Sequence, residues 1–352
     1  MALPNNSCTE KWIASLAQAV QRNCDIADAC YAGNDSLCIY LLKMRDFYRW
    51  QASLPLNLAV DRAALGDWIS AKEMSWDELE DEAFEPLTIS GRAFDVFDND
   101  GINRVLNPYG YVYSGGLGLG SRPIFFLGKL THQDYSGSLK IQVSGEELAR
   151  CMVAPPGMSL FDTIYIRQDA LSRYIGSMVE DWGFKPREGA MSALIDHYRF
   201  ADDYDHAMQA MVEHELENVI LHEIGEQIAD EMIGEGWQSM LAALSHPVEE
   251  HKARVVRDHL ADCSSTLPAL LAFDDHASLH FYYANMSPLR QSLFPSFCRE
   301  YKLCQDKGDF STMKNVINEA RGHWLAVSRS LIAQSKKGTS DSLRDCLERS
   351  AF

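Results

Sequence analysis

Between Asp205 and Ile233 the chain reads DHAMQAMVEHELENVILHEIGEQIADEMI, without a proline and with one internal glycine, Gly225. Gly234 and Gly236 then stop the pattern. Apolar residues at Met208, Met211, Val212, Leu216, Val219, Ile220, Ile224, Ile228 and Met232 recur at three- and four-residue steps, the period of an amphipathic helix. No other stretch reads as so long an uninterrupted helix, and the flanking sequence has to be accommodated to it.

A turn of about 100° per residue brings Glu215, His222 and Glu226 within roughly 40° of one another, beside Met211 and Ala229. Apolar side chains border this polar stripe on both sides, which predicts that it faces inward. Glu213, Glu217, Gln227 and Glu231 fall on the opposite, wet side. A buried carboxylate needs a partner, because an unpaired buried charge is too costly to keep. The partner is either a metal ion or an Arg or Lys side chain.

The stripe contains His222-Glu223-Ile224-Gly225-Glu226 within VILHEIG. This text resembles the helix of the zincin metallopeptidases, whose H-E-x-x-H places two metal ligands one turn apart and a general base between them. The resemblance spans about seven residues of 352. It implies His222 as a ligand and Glu223 as the base that activates a metal-bound water. Glu226 stands where the family has its second histidine, and a His/Glu pair suits manganese or iron as well as zinc.

A second stripe lies in a helix expected from about Val248 to Ser264, which contains HKARVVRDHLADC. His251, Asp258 and Asp262 fall on one face, within roughly 20° of a common line, beside Val255, Val256 and Leu260. Zincins with an acidic third ligand take it from a later helix, and by that analogy Asp258 or Asp262 completes the set. The alternative pairs both aspartates with Arg254 and Arg257. Further on, His276 and His280 have chelating i, i+4 spacing, but their setting, DDHASLHFYY, reads as packing or surface.

Composition limits what surrounds these helices. A chain of 352 residues, 46% hydrophobic, buries a large core as one domain or two. A formal charge of −18 argues against a nucleic-acid partner, which requires clustered Lys and Arg. No run of 18 apolar residues offers a membrane span, and MALPNNSCTEKW lacks the basic and apolar regions of a secretory signal. Nine cysteines without a C-x-x-C pair predict reduced thiols and a cytoplasmic location.

The expected architecture is α+β and mainly α, in three segments. Residues 1–85 read as helices, including SLCIYLLKMRDFYRWQ, with Ser75-Trp76-Asp77-Glu78 as the capping box of a further helix. Residues 86–167 change texture: YGYVYSGG, RPIFFLGKL, SLKIQV and DTIYIR read as strands of a small antiparallel sheet. Asp98-Asn99-Asp100-Gly101 reads as a turn, because Val96 occupies the first calcium-ligand position. Gly116-Leu117-Gly118-Leu119-Gly120 reads as a hairpin loop, because a strand follows it. Residues 168–352 read as a large helical block.

The leading functional expectation is a metal-dependent hydrolase, related to zincins and acting on a small molecule or peptide. His222, Glu226, Asp258, Asp262, Glu215 and His251 supply the metal ligands, Glu223 the base, and zinc, iron or manganese the divalent metal. An iron or manganese oxidoreductase would use the same residues. A non-catalytic helical scaffold or interaction protein would instead place Arg or Lys between the acidic groups. No nucleic-acid or membrane partner is expected, and homo-oligomerisation is left open.

Overall fold

The computed structural model describes residues 6–244, 246–273, 275–336 and 340–352. The fold is α+β and mainly α, and it divides into two compact units, Met1–Glu180 and Asp181–Phe352.

The first unit joins the N-terminal helices and the strands, which differ in sequence texture, around common cores. Helix α1 (Asn6–Tyr31) lays Ile13, Leu16, Val20, Cys24 and Ala27 against Phe125 and Leu127 of the sheet. These residues recur at three- and four-residue steps, so one face of α1 is apolar along its length. Helices α2 (Leu37–Gln51) and α3 (Arg62–Asp77) close a smaller cluster, in which the Phe47 ring stacks on Trp50 at 5.6 Å and meets Trp68 edge-on at 5.9 Å. Asp61 caps α3 by accepting from Ala64 N at 2.8 Å. Ser75–Glu78 do not open a helix: Trp76 is buried in the last turn of α3, and its packing carries that helix through the expected start.

A two-stranded ribbon, β1 (Leu87–Ile89) with β2 (Arg92–Phe94), precedes helix α4 (Asn99–Leu106). The expected turn at Asp98–Gly101 is the start of α4, where Asp98 accepts from Gly101 N at 2.9 Å. The remaining strands are β3 (Tyr111–Leu117), β4 (Pro123–Ser136), β5 (Leu139–Arg150), β6 (Gly157–Leu160) and β7 (Thr163–Arg167). They form one sheet in the order β3-β4-β5-β7-β6.

The sheet is antiparallel except that β5 and β7 pair in parallel. The short β6 makes this possible by carrying the chain back on the far side of β7. Along the other edge, α4 presents two asparagines one turn apart. Asn103 donates to the Tyr113 carbonyl at 2.7 Å and accepts from its N–H at 2.8 Å, and Asn99 does the same with Gly115 at 2.9 and 2.7 Å. Helix α5 (Gln168–Phe184) follows β7.

The second unit is helical: α6 (Ala190–Tyr198), α7 (Tyr204–Ile233), α8 (Trp237–Ala242), α9 (Pro247–Ser264) and α10 (Thr266–Leu270). They are followed by α11 (Ala277–Ala284), α12 (Pro288–Leu293), α13 (Pro295–Lys307), α14 (Met313–Ser335) and α15 (Ser340–Glu348). Helix α9 is central and packs against both α7 and α14, with Val255, Val256 and Leu260 in a core shared with Trp324 and Phe297. Gly225 sets the α7–α9 approach. A Cβ there would lie 2.6 Å from the Ala261 carbonyl oxygen, closer than atoms tolerate. Cys24, Cys30, Cys38, Cys151, Cys263, Cys298, Cys304 and Cys346 are free thiols. No helix among the described residues is long and apolar enough to cross a membrane.

Candidate functional site

The two polar stripes meet where α7 crosses α9. His222 Nδ1 lies 2.7 Å from Asp262 Oδ1, and His222 Nε2 lies 3.8 Å from Glu226 Oε1. Asp262 is fully buried, and four side chains serve its two oxygens. Oδ1 receives His222 and, at 3.3 Å, the Thr266 hydroxyl from α10. Oδ2 accepts from the Tyr282 hydroxyl at 2.9 Å and from the Arg290 guanidinium. Arg290 also donates to Tyr282 Oη at 3.2 Å, which closes a triangle of donors and acceptors.

Local structure puts Arg290 there. Ser287 caps α12 by accepting from Arg290 N, which holds that residue in the first turn. The Arg290 carbonyl accepts from His259 Nε2 at 3.1 Å, and the His259 ring stacks on Trp324 with centroids 5.0 Å apart. Burial, reinforced by Arg290, pushes His259 down to about 3, so its ring is neutral and Nε2–H is free to donate.

Burial alone would raise the Asp262 carboxyl, but Arg290 and His222 outweigh it and hold the group well below its usual range. For His222, burial acts downward, and Asp262, Glu226 and Asp258 overcome it to raise the imidazole to about 10. His222 is therefore an imidazolium at neutral pH and donates to Asp262.

Glu226 is also engaged. Arg257 reaches across from α9 to Glu226 Oε1 at 2.7 Å, and stands 3.5 Å from Asp230 and 3.9 Å from Asp258. Of the alternative pairing of Arg254 and Arg257 with Asp258 and Asp262, only the 3.9 Å approach of Arg257 to Asp258 is formed. Arg254 bonds Glu250 one turn earlier at 2.7 Å, and Asp262 takes Arg290 from another helix. Burial, followed by the Glu226 charge, raises Asp258. Glu223, the expected base, is 7% exposed and lies within the α7 packing.

Two expected ligands lie elsewhere. His251 is exposed at the outer end of α9, two turns from Asp258 on a helix whose start faces solvent. Glu215 points inward as expected but forms a station of its own. It accepts from the Tyr198 hydroxyl at 3.1 Å, the Ser278 hydroxyl at 3.2 Å and Asn218 Nδ2 at 3.4 Å, while Tyr198 Oη lies 2.8 Å from His214 Nδ1. Burial pushes the Glu215 carboxyl up to about 7 despite these hydrogen bonds. Among the described residues, no group of three or more His, Cys, Asp or Glu side chains is arranged to hold a metal ion.

Arg290, Tyr282 and Ser278 were not legible as site residues. Ser278 and Tyr282 lie one turn apart on α11, the first on Glu215 and the second on Asp262. His276 and His280 beside them pack, as their setting predicts: the His276 ring centroid lies 4.6 Å from that of Phe310, and His280 bonds Tyr301 Oη at 2.6 Å.

The N-terminal domain profile of a family of unknown function, DUF6866, matches residues 15–167, and that family's C-terminal domain profile matches residues 172–350. The chain belongs to the DUF6866 family. The profile for its C-terminal domain takes in both stations, Asp262 and Glu215. No curated protein and no solved structure matches the chain.

Proposed function

We propose that this DUF6866 protein is a non-catalytic helical scaffold or interaction protein, and that the Asp262 station is an ionic joint binding α7, α9 and α12. The observation that carries this reading is the placement of two guanidinium groups. Arg257 on Glu226 and Arg290 on Asp262 use the oxygens that a bound cation would need. As arranged, His222 Nδ1 is committed to Asp262, Glu226 Oε1 to Arg257 and Asp262 Oδ2 to Arg290, and a metal ion would have to compete for each of these atoms. The first unit offers surface of the kind an interaction protein uses: Leu37, Ile39, Leu41 and Leu42 of α2 are 43–70% exposed.

A second reading has one observation in its favour. His222 lies 2.7 Å from Asp262 and 3.8 Å from Glu226, and a zincin-like hydrolase or an iron or manganese oxidoreductase built on these residues and Asp258 would need its metal to displace Arg257 and deprotonate His222. Elemental analysis of protein purified without added metal separates the two. Substoichiometric zinc, iron and manganese, unchanged in His222→Ala and Asp262→Asn, is expected of the joint. A stoichiometric metal lost from both folded variants would overturn it.

A further inference from the structure

The first unit contains a hollow of about 390 Å³ between α4 and the open face of β4, β5 and β7. Its walls carry Arg104, Lys140, Asp100, Gln142, Asn103 and Tyr165. Arg104 and Lys140 thus set two positive charges around one hollow in a chain of net charge −18. Among the described residues neither Arg104 nor Lys140 forms an ion pair, although Asp100 shares the hollow.

The floor is built from buried polar groups. Asn103 is 3% exposed and donates to Tyr165 Oη at 3.2 Å as well as to the Tyr113 carbonyl. Gln142 is 1% exposed, and its Nε2 donates to Gln133 Oε1 at 3.2 Å. With the Asn107 amide turned so that its nitrogen donates to the Tyr111 carbonyl at 3.0 Å, its oxygen accepts from Lys140 Nζ at 3.0 Å and Gln142 Nε2 at 2.6 Å. Gln142 Oε1 is left buried without a hydrogen-bond donor. Such an atom is costly unless a donor reaches it. Burial also pushes the Lys140 ammonium down, against Asp100 and Asp162, so an anion beside it would relieve a strained charge.

We infer that this hollow binds a small hydroxyl-bearing oxyanion, a phosphorylated or carboxylated polyol, held by Arg104 and Lys140 with a ligand hydroxyl donating to Gln142 Oε1. The volume is that of a small-molecule site. Arginine offers a planar fork to two oxygens of the anion, and lysine a point charge to a third. This site lies apart from the Asp262 joint in sequence and does not depend on the scaffold reading.

Isothermal titration of the full chain with glycerol 3-phosphate, glycerate, inorganic phosphate and glycerol tests it. Saturable binding of glycerol 3-phosphate or glycerate, tighter than inorganic phosphate and absent for glycerol, is expected, and the stronger of the two identifies the anionic group. Arg104→Gln and Lys140→Gln should each weaken binding about tenfold or more, with thermal unfolding of the free protein unchanged. Asp100→Asn, at an exposed helix position, should tighten binding, and it serves as the measurement if either of the other variants fails to fold. No saturable binding, binding indifferent to Arg104, Lys140 and Asp100, or binding of inorganic phosphate with no gain from the hydroxyls would each overturn the inference.

Discussion

Helix α7 takes part in two carboxylate stations, Glu215 of its own and Asp262 of α9, that share a neighbour and differ in charge. At one, Glu215 meets the Ser278 hydroxyl of α11; at the other, His222 meets Asp262, which in turn meets Tyr282 one turn further along α11. Glu215 and Asp262 are both fully buried. Yet the first is pushed up to about 7 and the second is held well below its usual range. Burial is common to the two, so it does not decide the outcome. The partners do: neutral hydroxyls and an amide around Glu215, a guanidinium and an imidazolium on Asp262. A buried acid thus stays charged only where the fold delivers a cation, and here the cation comes from a six-residue helix, α12.

The strongest way to break this contrast is to remove the cation. Arg290→Met leaves Asp262 buried without its guanidinium and should cost about 3–5 kcal/mol in urea unfolding. Adding Asp262→Asn to that variant should recover part of the loss, and a fully additive double variant would disprove the pairing. Next in size is Gly225→Ala, whose methyl meets the Ala261 carbonyl, with an expected cost of about 1–3 kcal/mol.

Smaller changes sharpen the contrast. Ser278→Ala should cost about 1 kcal/mol, the worth of one hydrogen bond to Glu215. Glu215→Gln should cost little at neutral pH and should abolish a pH dependence. A folded-state value raised from 4.5 to about 7 means stability fully present below pH 4.5 and lost as pH rises through 7. His222, raised from 6.5 to about 10, adds stability below pH 6.5 that is lost as pH rises through 10. Stability curves of Glu215→Gln and His222→Gln should therefore flatten in different pH windows, and identical curves would refute the assignment of separate stations.

The helices, and which side chains share a face within each, were legible in the sequence, because a 3.6-residue period fixes the stripe of Glu215, His222 and Glu226 and that of His251, Asp258 and Asp262. That the two stripes should meet rested on the zincin analogy, and His251 and Glu215 do not join the meeting point. What the period does not give is who arrives from elsewhere. Arg290 lies 28 residues beyond Asp262 in a short helix without a motif, and only tertiary packing on His259 brings it back. The zincin-like glycine was visible, but its service to helix–helix approach required the position of Ala261. In the sheet, four strands were legible from β-branched and aromatic texture. Strand β6 was too short to register, and with it went the parallel pairing of β5 and β7.

The asparagines of α4 have a consequence for how the first unit meets other chains. A strand at the margin of a sheet ordinarily offers a row of vacant peptide groups to which a foreign segment can zip. Here the amides of Asn99 and Asn103 imitate the absent neighbour, each offering one donor and one acceptor to Gly115 and Tyr113. The margin at β3 is thus closed by two side chains in place of a sixth strand, which shields the unit there from fibre-like growth.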